Sequence, residues 1–391
     1  MKNIIETDNK YIANTYKRAE VAFVSGKGSI LFDENGKRYI DLGSGIAVNE
    51  FGIADDEWVD AVTQQLKTLQ HTSNLYYTRP QAMLAAMLCE KTGMKKVFFA
   101  NSGAEANECA IKTARKYSSD KYGENRGTVI TLTNSFHGRT IATLSATGQE
   151  AMHTHFYPFA PGFIHTAAND TSAMLEAMDR NDVCAVMMEL VQGEGGINVL
   201  DKEFVRATAK KAAEKDILLI IDEVQTGNGR TGSLYAYMQY GITPDIVTTA
   251  KGLAGGLPLG AVMFASSTAS VLTYGSHGST FGGNPVCAAG AVNVLSRIDD
   301  ELLKNVKIKS EYIFNSLNGA KGVKSVSGLG LMIGIECDVP SPAIIEKCRE
   351  RGVIVLASKT KVRLLPALNI PFDTLQEAIS VLKEVIALFT E

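Results

Sequence analysis

Between about residues 56 and 290, apolar runs of strand length alternate with longer stretches of helical pattern. "KVFFAN" leads into "AEANECAIKTARKYSS". "GTVITLT" follows, then "CAVMMEL" with "KEFVRATAKKAAEKD", then "ILLIID", "DIVTTA" and "GAVMFA". Helices placed between buried strands leave few solutions: a mostly parallel sheet with helices on both faces. This predicts an α/β fold with a large domain over residues 56–290. The flanks read differently. Residues 21–45 break into short strand-like pieces, with Asn35-Gly36 as a hairpin turn. Residues 291–391 mix helices with short strands such as "GLMIGIEC", "GVIVLAS" and "KVRLLP". We expect residues 1–55 to join residues 291–391 in a smaller α+β unit, which suits a chain of 391 residues.

Several classes are excluded early. A net charge of −3 without a long block of one sign argues against a nucleic-acid surface. No apolar run is long enough for a membrane span, and the first residues lack the apolar core of a signal peptide. The six cysteines form no CxxC pair, which argues against a metal site or disulfide framework and for thiols in a reducing cytoplasm.

In an open parallel sheet, ligands bind at the carboxyl ends of the strands. Lys251 stands at such an end, followed by Gly252, Gly255, Gly256 and Gly260. Alone it reads as a solvated strand-end lysine. A desolvated lysine in a permissive backbone would instead be a carbonyl nucleophile. Asp222 closes the run "ILLII" and is either a cap or the partner of a buried protonated nitrogen. Ser102-Gly103-Ala104, after "KVFFAN", is either a plain capped turn or a phosphate cradle at a helix N-terminus near Glu105. Phe136 could stack on a flat ligand. His137 reads as a packed histidine, and Arg139 as a carboxylate fork. Glu194 lies in the glycine-rich "VQGEGG", and Arg363 falls on a strand in "KVRLLPAL". An amine, a carboxylate for a ring nitrogen and a phosphate cradle are together what pyridoxal phosphate requires.

At these residues the chain resembles the class III aminotransferases, within the fold-type I pyridoxal-phosphate enzymes. The likeness is carried by "SGAEANECAIKTARKY", "SFHGRTIATLSATGQ", "VQGEGGI", "IIDEVQTGNGRTG", "AKGLAGGLPLGA" and "HGSTFGGNPVCA". It implies a seven-stranded, mostly parallel sheet in the large domain. It also implies catalytic roles for Lys251, bonded to the cofactor aldehyde, and for Asp222 at the ring nitrogen. Gln225 would reach the ring oxygen, with Phe136 and Val224 on the two ring faces and Gly103 and Ala104 at the phosphate. Thr280 would reach the phosphate of a second subunit, in a homodimer with shared sites, and Ser279 would sit beside the substrate. Arg139, Glu194 and Arg363 would handle two substrates: the glutamate masks Arg363 for the first and frees it for a dicarboxylate. The implied reaction moves the terminal amine of N-acetylornithine to 2-oxoglutarate, giving glutamate, in arginine biosynthesis. Ornithine, succinylornithine or 4-aminobutyrate are alternative donors, and an aminomutase is the more distant alternative. Ile46 stands where ornithine-specific members tend to carry a tyrosine. The chain departs from the family pattern in Leu190 after Glu189, in "NEFGIADDEW", and in Asn228.

Overall fold

The computed structural model describes residues 4–389. The outermost ends of the two terminal segments, residues 1–3 and 390–391, lie outside the described residues. Seven strands build the central sheet: β1 (Lys96–Ala100), β2 (Thr128–Leu132), β3 (Phe163–Thr166), β4 (Val183–Met188), β5 (Leu218–Asp222), β6 (Ile246–Thr249) and β7 (Gly260–Phe264). Their spatial order is β1-β7-β6-β5-β4-β2-β3. All neighbours run parallel except at β7, which is antiparallel to both β6 and β1. The sequence pattern did not signal this reversal, since "GAVMFA" is as apolar as the parallel strands. It did not signal β3 either, which is only four residues long.

Every residue of β2, β4, β5, β6 and β7 is buried. That is why these runs are continuously apolar: alternate residues enter different cores. Ile130, Val186, Met188, Leu219, Ile221 and Val247 pack with Leu84, Leu88 and Phe204 on one face. Val129, Ala185, Met187, Leu218, Ile220 and Ile246 pack on the other, against Ala106, Cys109, Ala110 and Ala114 of the helix Gly103–Tyr122. The small residues of that helix let it lie close to the sheet, which fixes where its N-terminus points.

A second, antiparallel sheet carries Val323–Leu329, Met332–Cys337, Lys361–Leu364 and Leu356–Ser358 in that order. The helices Asp300–Leu317 and Phe372–Leu388 back it through Ile313, Leu317, Ile379 and Leu382. The N-terminal hairpin turns at Gly36, whose φ is +78°. Its strand Arg38–Asp41 pairs in parallel with Val353–Ile354, and Ile40 and Leu42 enter the same core as the C-terminal helices. Among the described residues all six cysteines are free, and no helix is long and apolar enough to cross a membrane.

The reversal of β7 brings Gly260 to the edge where β1 and β6 end. A Cβ there would fall 2.3 Å from the carbonyl oxygen of Ser102. Gly260→Ala therefore has to displace the turn that opens the helix Gly103–Tyr122. We expect a loss of about 1–3 kcal/mol in urea unfolding, typical of overpacking against backbone, and weaker retention of pyridoxal phosphate on dialysis. An unchanged unfolding midpoint would show that the turn yields freely.

Candidate active site

Asp222 ends β5 and is 3% exposed. Its carboxylate accepts from three donors: the Val224 amide at 3.0 Å, Asn107 Nδ2 at 2.8 Å and His137 Nδ1 at 2.8 Å. Asn107 Nδ2 also donates to the carbonyl of His137 at 2.8 Å, locking that loop to the helix. A buried carboxylate is tolerable only with such donors. Burial alone would pull the His137 imidazole down, but the hydrogen bond to Asp222 and its charge outweigh this and raise its pKa. Its Nε2 is buried without a hydrogen-bond partner. Just beyond β4, Glu189 accepts from the Phe136 amide at 2.9 Å. Burial pushes the Glu189 carboxyl up to about 7, against the pull of the His137 charge.

Lys251 opens a single turn, Lys251–Ala254, after β6. Its φ of +43° is unusual for a residue with a side chain and costs on the order of 1–3 kcal/mol. Neighbours hold the strain in place. Asn228 Nδ2 donates to Thr249 Oγ1 and to the Ala250 carbonyl, both at 3.2 Å. Burial lowers the Lys251 pKa, while the charges of Glu194 and Asp222 act in the opposite sense and Arg363 adds to the lowering. The result is an amine with an enlarged neutral fraction, as a carbonyl nucleophile needs.

The Ser102 turn is a capped one. Ser102 Oγ accepts from the Glu105 amide at 3.2 Å and so caps the helix, which starts at Gly103, two residues earlier than the sequence suggested. The first N–H groups of a helix have no intrahelical partner, and here they face the strand ends. A Cβ on Gly103 would lie 2.6 Å from Val224 Cγ1. Only glycine lets this turn and the Val224 side chain come this close. The amine, the carboxylate, the cradle and the apolar surfaces of Val224 and Phe136 fit pyridoxal phosphate.

Arg363 is 3% exposed on its strand, and its Nη1 donates to Glu194 Oε1 at 2.6 Å, the Gly193 carbonyl at 3.1 Å and Gln225 Oε1 at 3.2 Å. Gln225 Nε2 donates back to Glu194 Oε1 at 3.3 Å. Burial would raise the Glu194 pKa, but the charge and hydrogen bond of Arg363 overcome it and hold it below the usual range. Arg139 lies outside this network: it is exposed, its guanidinium 5.7 Å from the centre of the Phe136 ring. Ser279 Oγ accepts from Asn101 Nδ2 at 3.2 Å, and Thr280 is exposed. Neither is hydrogen-bonded to Lys251, Asp222 or Arg363 among the described residues.

Sequence reasoning passed over Asn107 and gave His137 and Glu189 no role. Asn107 had a readable signal: a carboxamide beside Ala106, Cys109 and Ala110 on the sheet-facing stripe of a helix.

A family model described as aminotransferase class III matches residues 11–386. The acetylornithine aminotransferase of Haemophilus ducreyi is 50% identical over 386 residues, covering 98% of each chain. That of Methanocaldococcus jannaschii is 44% identical, covering 100% of this chain and 98% of its own. Among solved structures, the ornithine aminotransferase of Toxoplasma gondii matches with a TM-score of 0.94 at 30% identity, over 98% of this chain and 94% of that one. The N-acetylornithine aminotransferase of Stenotrophomonas maltophilia matches with a TM-score of 0.86 at 32% identity, over 99% of both.

The Glu194–Arg363 pair has a definite pH signature. With a folded pKa below the ordinary 4.5, Glu194 stabilises the protein above that value and loses its contribution as pH falls through the lowered one. Glu194→Gln should melt lower than the parent at neutral pH, by the equivalent of about 1.5–3 kcal/mol for a charged hydrogen bond. The gap should close at pH values below the ordinary glutamate range. A gap that stays constant with pH would show that the ion pair adds no charge-dependent stability.

Proposed function

This chain belongs to the class III aminotransferase family, and from that premise we propose that it moves the terminal amine of N-acetylornithine to 2-oxoglutarate with pyridoxal phosphate as cofactor. When bound, the cofactor supplies a carbonyl that takes the amine and a cationic ring that draws electrons from the amine-bearing carbon. Lys251, with its lowered pKa, would hold that carbonyl between turnovers and, once displaced by the substrate amine, would be free to carry the proton to and from the substrate carbon. Asp222, oriented by Asn107, His137 and the Val224 amide, keeps the ring nitrogen protonated. The Gly103 and Ala104 amides would hold the phosphate, Val224 and Phe136 would pack against the ring, and Gln225 would serve the ring oxygen.

The observation that carries the substrate reading is a buried arginine with a built-in counter-ion. Arg363 is paired with Glu194 at 2.6 Å, and both charges act on Lys251. While the pair is closed the pocket accepts a substrate with one carboxylate, which Arg139 receives at the rim. Opening it exposes a second guanidinium for the distal carboxylate of 2-oxoglutarate. An aminomutase has no use for such a device. The names of relatives that are 44–50% identical over nearly the whole chain support N-acetylornithine as donor. An ornithine donor is the second reading, after the structural neighbour from Toxoplasma gondii. Against it stands Ile46, which is 40% exposed and has no hydroxyl for a free α-amine.

We also infer a cytoplasmic homodimer in which Thr280 completes the phosphate site of the other copy and Ser279 meets the substrate. In support, Leu75, Tyr77, Tyr274 and Phe281 expose large apolar surface around the loop that carries both residues.

Two experiments test the reading. Lys251→Ala should retain pyridoxal phosphate without the covalent bond, and turnover of N-acetylornithine should fall to background; activity near that of the parent would end the proposal. Arg363→Ala should weaken the 2-oxoglutarate half-reaction about ten- to a hundredfold, the equivalent of one charged bidentate contact. The N-acetylornithine half should change little. Single-turnover rates for each half give the comparison, and equal losses would make Arg363 structural.

A further inference from the structure

Glu50 and Arg230 form an ion pair that solvent does not reach. They are 1% and 0% exposed, with Arg230 Nη2 2.6 Å from Glu50 Oε2. The pair reaches in two directions. Toward the lysine, the Glu50 carboxylate abuts Gly252, the residue after Lys251: a Cβ there would fall 2.1 Å from Glu50 Oε1. Toward the arginine, Arg230 Nη1 donates to the carbonyls of Pro366 at 2.5 Å and Leu331 at 3.3 Å. Pro366 lies just past Arg363, and the same segment is pinned again where the Leu368 amide donates to the Glu50 carbonyl at 2.8 Å. Asn228, two residues before Arg230, holds the Ala250 carbonyl at 3.2 Å.

Stability alone is a poor reason to bury such a pair. Apolar side chains of similar size often do as well or better, because each charge has lost its hydration. What an apolar pair cannot do is tie the Pro366 and Leu331 carbonyls to a side chain packed against Gly252. We propose that Glu50 and Arg230 are positioning residues for amine transfer, setting Lys251 relative to Arg363 across the two sheets. The inference rests on the two-substrate reading above. It touches no group that contacts substrate or cofactor.

The test separates registration from stability. The holoenzyme carrying Glu50→Met together with Arg230→Met replaces the ion pair with apolar bulk, and its melting temperature should stay close to that of the parent. Its KM for 2-oxoglutarate should rise by about tenfold or more, since displacements near 1 Å carry penalties up to about a hundredfold. Its KM for N-acetylornithine should stay within about twofold of the parent, because the closed pocket makes no use of the freed Arg363. The pH midpoint of the visible absorbance of the cofactor bound at Lys251 should shift as well. Arg230→Lys keeps the charge opposite Glu50 but cannot span both carbonyls, and it should show the same selective rise in KM. It carries the test alone if the double variant does not melt cooperatively. Recovery of the parental KM values and absorbance midpoint in these variants would overturn the proposal, and so would equal weakening of both substrates. A parent enzyme that failed to use N-acetylornithine would instead overturn the substrate reading, leaving the absorbance midpoint as the measure of registration.

Discussion

A carboxylate buried at the end of an aliphatic strand is the constraint on which the rest of this molecule is arranged. Asp222 follows Leu218, Leu219, Ile220 and Ile221, all within the sheet, and an unpartnered charge there would cost several kcal/mol. Its donors come from three places: its own turn, the helix after β1 and the loop after β2. Supplying them requires that the helix Gly103–Tyr122 cross the sheet closely enough for Asn107 to reach Asp222. The stripe of alanines and Cys109 on that helix follows from this requirement. Once the helix is so placed, its N-terminus and the Lys251 turn lie at the same edge of the sheet as Asp222.

The second sheet contributes Arg363 and Ser358, whose hydroxyl donates to the Gly193 carbonyl at 2.7 Å and accepts from the Gly196 amide at 2.9 Å. Arg363 enters the network by a strand that belongs to the C-terminal core, and it meets Glu194 and Gln225 on turns that follow strands of the large sheet. Gln225 is bonded to both members of the ion pair, so its amide cannot keep both hydrogen bonds if Glu194 moves. A movement of Glu194 therefore also changes the hydrogen bonding of Gln225.

Much of this was legible before any coordinates. The alternation of apolar runs and helical stretches implied the layered sheet because both faces of the strands had to be covered. Lys251, Asp222 and Gly103 could be picked out because each interrupts a pattern at a strand end. The antiparallel direction of β7 was not legible, since a fully buried strand is equally apolar in either direction. Nor was the burial of residues 225–232. A stretch reading TGNGRTG has the composition of a surface loop, yet nearly all of it is inside, with Arg230 completely enclosed. Its depth follows from Glu50, a partner far away in the chain that local pattern cannot pair with it. Asn228, noted only as a departure from the family pattern, proves to hold the Lys251 turn.

The position of β7 also orders events in time. β1 has no neighbour in the sheet other than β7, and Phe99 aligns with Ala261. During synthesis β1 leaves the ribosome first among the seven strands and waits for the last of them before it can dock. Closing so long a loop is slow compared with local helix formation. A nascent chain stopped just after Thr249 could already lay the helix Gly103–Tyr122 on β2, β4, β5 and β6, but β1 and the Ser102 turn before that helix would lack the strand they pack against. The Ser102 turn, against which Gly260 of β7 packs, is consequently among the last parts of the large domain to be fixed.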